Sequence, residues 1–155
     1  MDEQCWPSFK RDERRRSAVG QSIARRPSLH WVLRLEPMVA SCICSNMLYA
    51  STLAGSVYAV ELSGRMRWVH RCSMPIVSTP VFVGDDRSRG MIVAATFSRW
   101  LEDEHGERNI IFALDAENGN LLWELHIDGD VFSSPCYADG LVVLGALDGH
   151  VYAVD

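Results

Sequence analysis

The chain has 155 residues, 48% of them hydrophobic, and a formal net charge of -5; this is enough apolar material for one folded domain and excludes disorder throughout. The charge is uneven, with seven Lys or Arg against four Asp or Glu in residues 1–30 and eight against sixteen in residues 31–155. The acidic body therefore offers no broad cationic surface for nucleic acid, and no apolar run reaches the ~18 residues of a membrane span, so neither partner is expected.

Residues 1–29 contain Lys10-Arg11, Arg14-Arg15-Arg16 and Arg25-Arg26 with little apolar periodicity. A flexible basic tail is expected there. Arg14-Arg15-Arg16-Ser17 and Arg25-Arg26-Pro27-Ser28 have the form of sites for kinases that prefer upstream arginine, where a phosphate would offset the tail's charge. The opening Met1-Asp-Glu-Gln-Cys-Trp-Pro lacks the basic-then-apolar order of a secretory signal. Cysteines at 5, 42, 44, 72 and 136 form no C-x-x-C pair. Reduced thiols, mostly buried, in a cytoplasmic protein are the expectation.

From residue 30 onward the chain repeats itself. Three segments align on their tryptophans, Leu29-His-Trp31, Met66-Arg-Trp68 and Leu122-Trp123. Ten residues after each tryptophan stands a serine, Ser41, Ser78 or Ser133, and twelve residues after the second and third stands Pro80 or Pro135, with Ile43 in the first unit. The units close on Val57-Tyr-Ala-Val-Glu61, Ile111-Phe-Ala-Leu-Asp115 and Val151-Tyr-Ala-Val-Asp155. Self-similarity at this spacing signals a repeat architecture, with units of approximately 30–65, 66–120 and 121–155 following the tail.

The last unit shows what each repeat builds. Asp128-Gly129, Asp139-Gly140 and Asp148-Gly149 suit tight reversals, and they separate predicted strands at about 122–127, 131–137, 141–147 and 150–154. In Leu141-Val-Val-Leu-Gly-Ala-Leu147 both alternate sets of side chains are apolar, so both sheet faces need cover. Sheets stacked around an axis provide that cover. The expected fold is all-β, a partial β-propeller of about three four-stranded antiparallel blades. In this reading the stretch 113–123 connects one blade to the next, and each indole fills the gap between neighbouring sheets.

Ala113-x-Asp115-x-x-x-Gly119-x-x-x-Trp123 resembles the tryptophan-docking repeat of pyrroloquinoline quinone (PQQ) dehydrogenases and related propellers. Ala59-x-Glu61-x-x-Gly64-x-x-x-Trp68 is a looser match, and Trp31 heads the first unit. The resemblance covers roughly residues 31–155 and implies that the tryptophan of one blade docks on the next. Within that family, Val131-Phe-Ser-Ser-Pro135 followed by residues 145–155 looks most like the C-terminal propeller of β-alanine-activating enzymes of the acyl-CoA synthetase family. Those enzymes join it to adenylating and carrier domains; nothing in this chain resembles either.

Candidate chemistry is sparse. The insertion between Thr96 and Ile111 offers Glu102, Asp103, Glu104, His105 and Glu107 as cation ligands, but without calcium-loop spacing, and a solvated acidic hairpin explains them. Trp100 within it is a candidate interaction residue. Ser133 and Ser134, with His105, His126 and His150 as bases, lack the G-x-S-x-G elbow, and serine at a fixed repeat position suggests a backbone role. Asp128 and Asp130 lie at predicted turns, where local hydrogen bonding explains them. The adjacent Cys-Cys pair found beside the quinone in many alcohol dehydrogenases is absent, so no catalytic, cofactor-binding or metal-binding residue is assigned.

The expectation is a non-catalytic PQQ-like propeller segment, a scaffold or binding module from a larger amino-acid-activating, ATP-dependent enzyme. The alternative is a fragment of a PQQ-dependent dehydrogenase with PQQ as cofactor. A third reading, an assembly scaffold like the bacterial outer-membrane propeller lipoprotein, is disfavoured by the missing signal and lipidation motif. Three units fall short of the four to eight blades of a ring, so remaining blades or another protein are expected on the open edges.

Overall fold

The computed structural model describes residues 26, 28–84, 90–98 and 108–155. They form eleven strands, with no helix among the described residues: β1 (Met38–Cys44), β2 (Met47–Thr52), β3 (Ser56–Glu61), β4 (Met66–Arg71), β5 (Val81–Val83), β6 (Met91–Ala95), β7 (Asn109–Asp115), β8 (Leu121–Ile127), β9 (Cys136–Ala138), β10 (Leu141–Gly145) and β11 (Val151–Val154). They make three antiparallel sheets in the orders β1-β2-β3-β4, β5-β6-β7-β8 and β9-β10-β11. The first strands lie side by side, β1 next to β5 and β5 next to β9. This is the architecture of consecutive propeller blades, each sheet entered at its innermost strand.

Two features of the sequence reading are corrected. The stretch 113–123 is a hairpin inside the second blade, because Ala113 pairs with Trp123 across β7 and β8. Likewise Ala59 pairs with Trp68 across β3 and β4. Each tryptophan therefore rides on the outermost strand of one sheet, and the connections between blades are 72–80 and 128–135, one strand later than expected. Secondly, β8 belongs to the second sheet, which leaves the last sheet with three described strands rather than four, and the expected strand at 131–137 is confined to β9.

Period-two alternation explains how the middle sheet is buried. Ile92 and Ala94 of β6, with Phe112 and Leu114 of β7, pack against Cys42, Tyr49, Val57 and Ala59 of the first sheet. Their neighbours Val93, Ala95, Ile111 and Ala113 face Val142 and Leu144 of the third sheet. Complete burial of such a side chain is worth roughly 1.5–3 kcal/mol. The third sheet has cover on one face only: Val142 and Leu144 are buried, but Leu141 and Val151 are exposed.

Candidate functional site

The joint between the first and second sheets is built from the β7–β8 turn. Asp115 begins it, its Oδ1 accepting from the backbone N–H of Glu117 at 2.8 Å and of Asn118 at 3.1 Å, while Gly119 N–H donates to Asp115 O at 2.8 Å. This self-bonding is the reason an acid suits that position. Gly119 has φ +77°, a conformation side chains resist, and a Cβ there would lie 2.7 Å from the indole of Trp68. Glycine thus serves both the turn and the close approach of the ring.

Trp68 comes to this turn from the neighbouring sheet. Its Nε1–H donates to Ala116 O at 3.1 Å, and the same carbonyl accepts from the Tyr49 hydroxyl at 3.2 Å. Tyr49, Ala59 and Trp68 lie in one row across β2, β3 and β4, so the small alanine leaves both rings free to lean on the next blade. Their centroids are 5.9 Å apart, and Tyr49 also stacks on Phe82 at 6.2 Å. A β-bulge immediately precedes each indole: the pairing passes from Val60–Met66 to Ala59–Trp68 and from Leu114–Leu121 to Ala113–Trp123. The extra residue increases local twist and re-aims the ring.

Trp31 repeats the arrangement one blade earlier. Its Nε1–H donates to Leu62 O at 2.8 Å, and a Cβ on Gly64, φ +91°, would lie 2.9 Å from its ring. Trp123 is different. It is half-buried against the core between the second and third sheets, and none of the described residues accepts a hydrogen bond from its Nε1.

A polar knot ties the second sheet to the third. Asp130 Oδ1 accepts from Ser98 N–H at 2.9 Å, the Ser98 hydroxyl at 3.0 Å and Asn109 Nδ2 at 3.0 Å, and the side chain of Asn109 is buried. Asn109 Nδ2 also donates to Ser98 Oγ at 3.0 Å. The reading of Asp130 as a locally bonded turn residue is therefore corrected. The polar Asn109 at the head of an apolar strand was the available signal, since a buried amide has to find partners elsewhere.

The candidate nucleophiles serve the backbone. Ser133 Oγ donates to Gly145 O and accepts from Gly145 N–H, both at 2.9 Å, and Ser134 Oγ accepts from Thr79 N–H at 3.1 Å. Of the candidate bases, His126 lies 3.8 Å from Glu124 and His150 3.3 Å from Asp148, whose carboxylate also accepts from the Tyr152 hydroxyl at 2.6 Å. That hydrogen bond, with the one from His150 N–H, holds Asp148 below the usual carboxylate range. Burial pushes the thiols up, Cys42 to about 12 and Cys72 to about 11, far from a reactive thiolate.

Cys42, Cys72 and Cys136 are free, whereas Cys44 is engaged in a disulfide, which corrects the expectation of reduced thiols throughout. No group of three or more His, Cys, Asp or Glu able to hold a metal ion occurs among the described residues. Trp100, the acidic insertion with His105, and nearly all of the basic tail lie outside the described residues.

Comparison with known proteins agrees with this architecture. Residues 88–155 match the family model described as outer membrane protein assembly factor BamB. That match runs from β6 to β11, less than half of the chain, and supports a PQQ-like propeller repeat there. The crystal structure of BamB from Moraxella catarrhalis is similar over 72% of this chain and 31% of its own, with TM-score 0.57 and 21% identity. Quinohemoprotein alcohol dehydrogenase from Comamonas testosteroni covers 98% of this chain and 25% of its own, with TM-score 0.68 and 14% identity. These two likenesses show the fold. Among curated proteins, the human beta-alanine-activating enzyme is 25% identical over 100 residues, 64% of this chain but 8% of the relative's length.

Proposed function

We propose that the chain is a non-catalytic PQQ-like propeller segment acting as a scaffold or binding module. One observation carries the reading: Trp31, Trp68 and Ser133 of the repeat spend their polar atoms on the backbone carbonyls of Leu62, Ala116 and Gly145. In this proposal the Trp31–Gly64 and Trp68–Gly119 contacts act as tryptophan-docking joints, and their product is a rigid stack of sheets with faces and edges for a partner. The partial match to a beta-alanine-activating enzyme supports a parent that activates amino acids with ATP, with these repeats as an accessory domain. The matched family model, named for an assembly factor, supports the scaffold role itself. Free Cys42, Cys72 and Cys136 favour the cytoplasmic assignment, while the disulfide at Cys44 counts against it.

The competing dehydrogenase reading requires a quinone held by polar groups and calcium. Titration with PQQ and calcium, followed by absorbance and dye reduction, separates the two. No stoichiometric uptake and no turnover are expected; tight uptake with dye reduction overturns the scaffold proposal. A transcript joining these repeats to an adenylation domain would support the proposed parent.

A further inference from the structure

The turn that receives Trp68 contains Asn118-Gly119, the one Asn-Gly pair in the chain; Asn46, Asn109 and Asn120 precede Met47, Ile110 and Leu121. Asparagine is thermolabile, and the pair carries a chemistry of its own. The backbone nitrogen that follows an asparagine attacks the side-chain carbonyl, most readily when it belongs to glycine, which has no side chain in the way. Gly119 N would form a bond to Asn118 Cγ while the Cγ–Nδ2 bond breaks, and the amide nitrogen leaves as ammonia with the proton given up by Gly119. Water then opens the resulting five-membered imide at either carbonyl. Cleavage at Cγ leaves aspartate; cleavage of the former main-chain bond leaves isoaspartate, with the main chain routed through an additional methylene.

The fold opposes the movements this requires. Asn118 is exposed, so water reaches it. Yet Gly119 N–H donates to Asp115 O at 2.8 Å and Asn118 Oδ1 accepts from Asn120 N–H at 2.9 Å, so the attacking nitrogen and the carbonyl it would attack are both engaged elsewhere. Asn118 N–H is itself held by Asp115 Oδ1 at 3.1 Å. From the neighbouring sheet, the Trp68 indole lies so close to Gly119 that a Cβ would be 2.7 Å from it, and Ala116 O of the same turn accepts from both Trp68 and Tyr49. We propose that Asn118 is a latent deamidation site that the Trp68 joint keeps closed, and that the isoaspartate formed when the joint opens prevents it from closing again. The added methylene falls between Ala116, which carries the acceptor carbonyl, and Gly119, which lies under the ring, so the two no longer meet the same indole. In the first joint Ser63 precedes Gly64, and serine has no side-chain carbonyl to attack, so this ageing is confined to the second joint. The site depends on the geometry of the joint and not on what the propeller binds.

The test is peptide mapping by mass spectrometry of the 155-residue chain, aged in mildly alkaline buffer with and without guanidinium chloride, with isoaspartate scored by enzymatic methylation. Conversion at Asn118 should be at least about tenfold slower in buffer than in denaturant, since only the open fraction reacts. Tyr49→Phe removes one of the two side-chain bonds to Ala116 O and keeps the ring, and should raise the rate in buffer about two- to tenfold. Trp68→Ala should raise it further. Asp130→Ala, which loosens the joint to the third sheet, should leave it unchanged. Asn118→Ser should abolish the conversion and, after ageing in denaturant and refolding, keep its unfolding midpoint, whereas aged wild type should refold to a form with a lower one. Equal rates for wild type with and without denaturant, folded Tyr49→Phe reacting no faster than wild type, an equal acceleration by Asp130→Ala, or an unchanged midpoint in the isoaspartate form would each overturn the proposal. Should Trp68→Ala fail to fold, Tyr49→Phe decides alone.

Discussion

Trp68 and Trp123 stand at the same repeat position, each opposite a buried alanine and each preceded by a bulge, yet they end in different surroundings. Trp68 reaches a turn in the next sheet, where Gly119 lies beneath the ring and Ala116 O accepts its N–H. The third sheet presents Trp123 with no fourth strand and hence no equivalent turn among the described residues. The motif is thus a device in two halves, the indole on one sheet and the glycine turn on its neighbour, 48 residues from Trp68 to its acceptor. A complete motif in the sequence does not mean a complete joint, because each tryptophan is served by the glycine of the following repeat.

The sharpest way to break this comparison is to remove the rings. Trp68→Ala is expected to destabilise by about 3–5 kcal/mol and Trp123→Ala by about half as much, in urea unfolding followed by far-ultraviolet circular dichroism. Equal losses would mean that the glycine turn contributes little. Gly119→Ala should cost about 2–4 kcal/mol, combining an unfavourable left-handed conformation with overpacking against the ring. Gly149→Ala, also at positive φ but with open space around it, should cost about 1 kcal/mol. Asp130→Ala removes one of the two acceptors of the buried Asn109 amide and should cost about 1–3 kcal/mol. Accelerated hydrogen exchange in β7 and β9, before the first sheet responds, would identify the joint between second and third sheets as the site of the loss.

The smallest effect is a pH dependence. Burial raises Cys42 from 9.0 to about 12, so the folded chain keeps its thiol protonated while the unfolded chain ionises. The stability from that neutral thiol is present below pH 9 and declines as pH rises above it, with a slope of at most about 1.4 kcal/mol per unit. Stability measured at pH 8 and pH 10 should fall less in Cys42→Ala than in wild type. An identical decline in the two proteins would show that the thiol titrates alike folded and unfolded.

Much of the fold was legible in the residues. Alternation in 141–147 called for cover on both faces; among the described residues its own sheet is covered only through Val142 and Leu144, and two-sided cover is seen instead in the middle sheet, flanked by Tyr49 and Val57 on one side and Val142 and Leu144 on the other. Ser133 has the expected backbone role in its bonds to Gly145, but the hydroxyl of Ser78 at the same repeat position has no hydrogen-bond partner among the described residues, so recurrence did not fix the role. Tyr49 was not foreseen as a partner in the joint, since nothing local links it to Ala116. Asp130 was misread for a similar reason: an acid beside a glycine has a local explanation in sequence, and its partners Ser98 and Asn109 lie 32 and 21 residues away.

The sequence by itself determined most of the strands, their reversals and the recurrence of indole, alanine and glycine, because these depend on side-chain alternation and turn conformation within a few residues. Only the tertiary structure decided which sheet claims each tryptophan-bearing strand. A strand such as 121–127 has donors and acceptors along both edges and can pair with the strand before it or the one after. Its bonds to β7 settled the choice, and with it which faces are covered among the described residues.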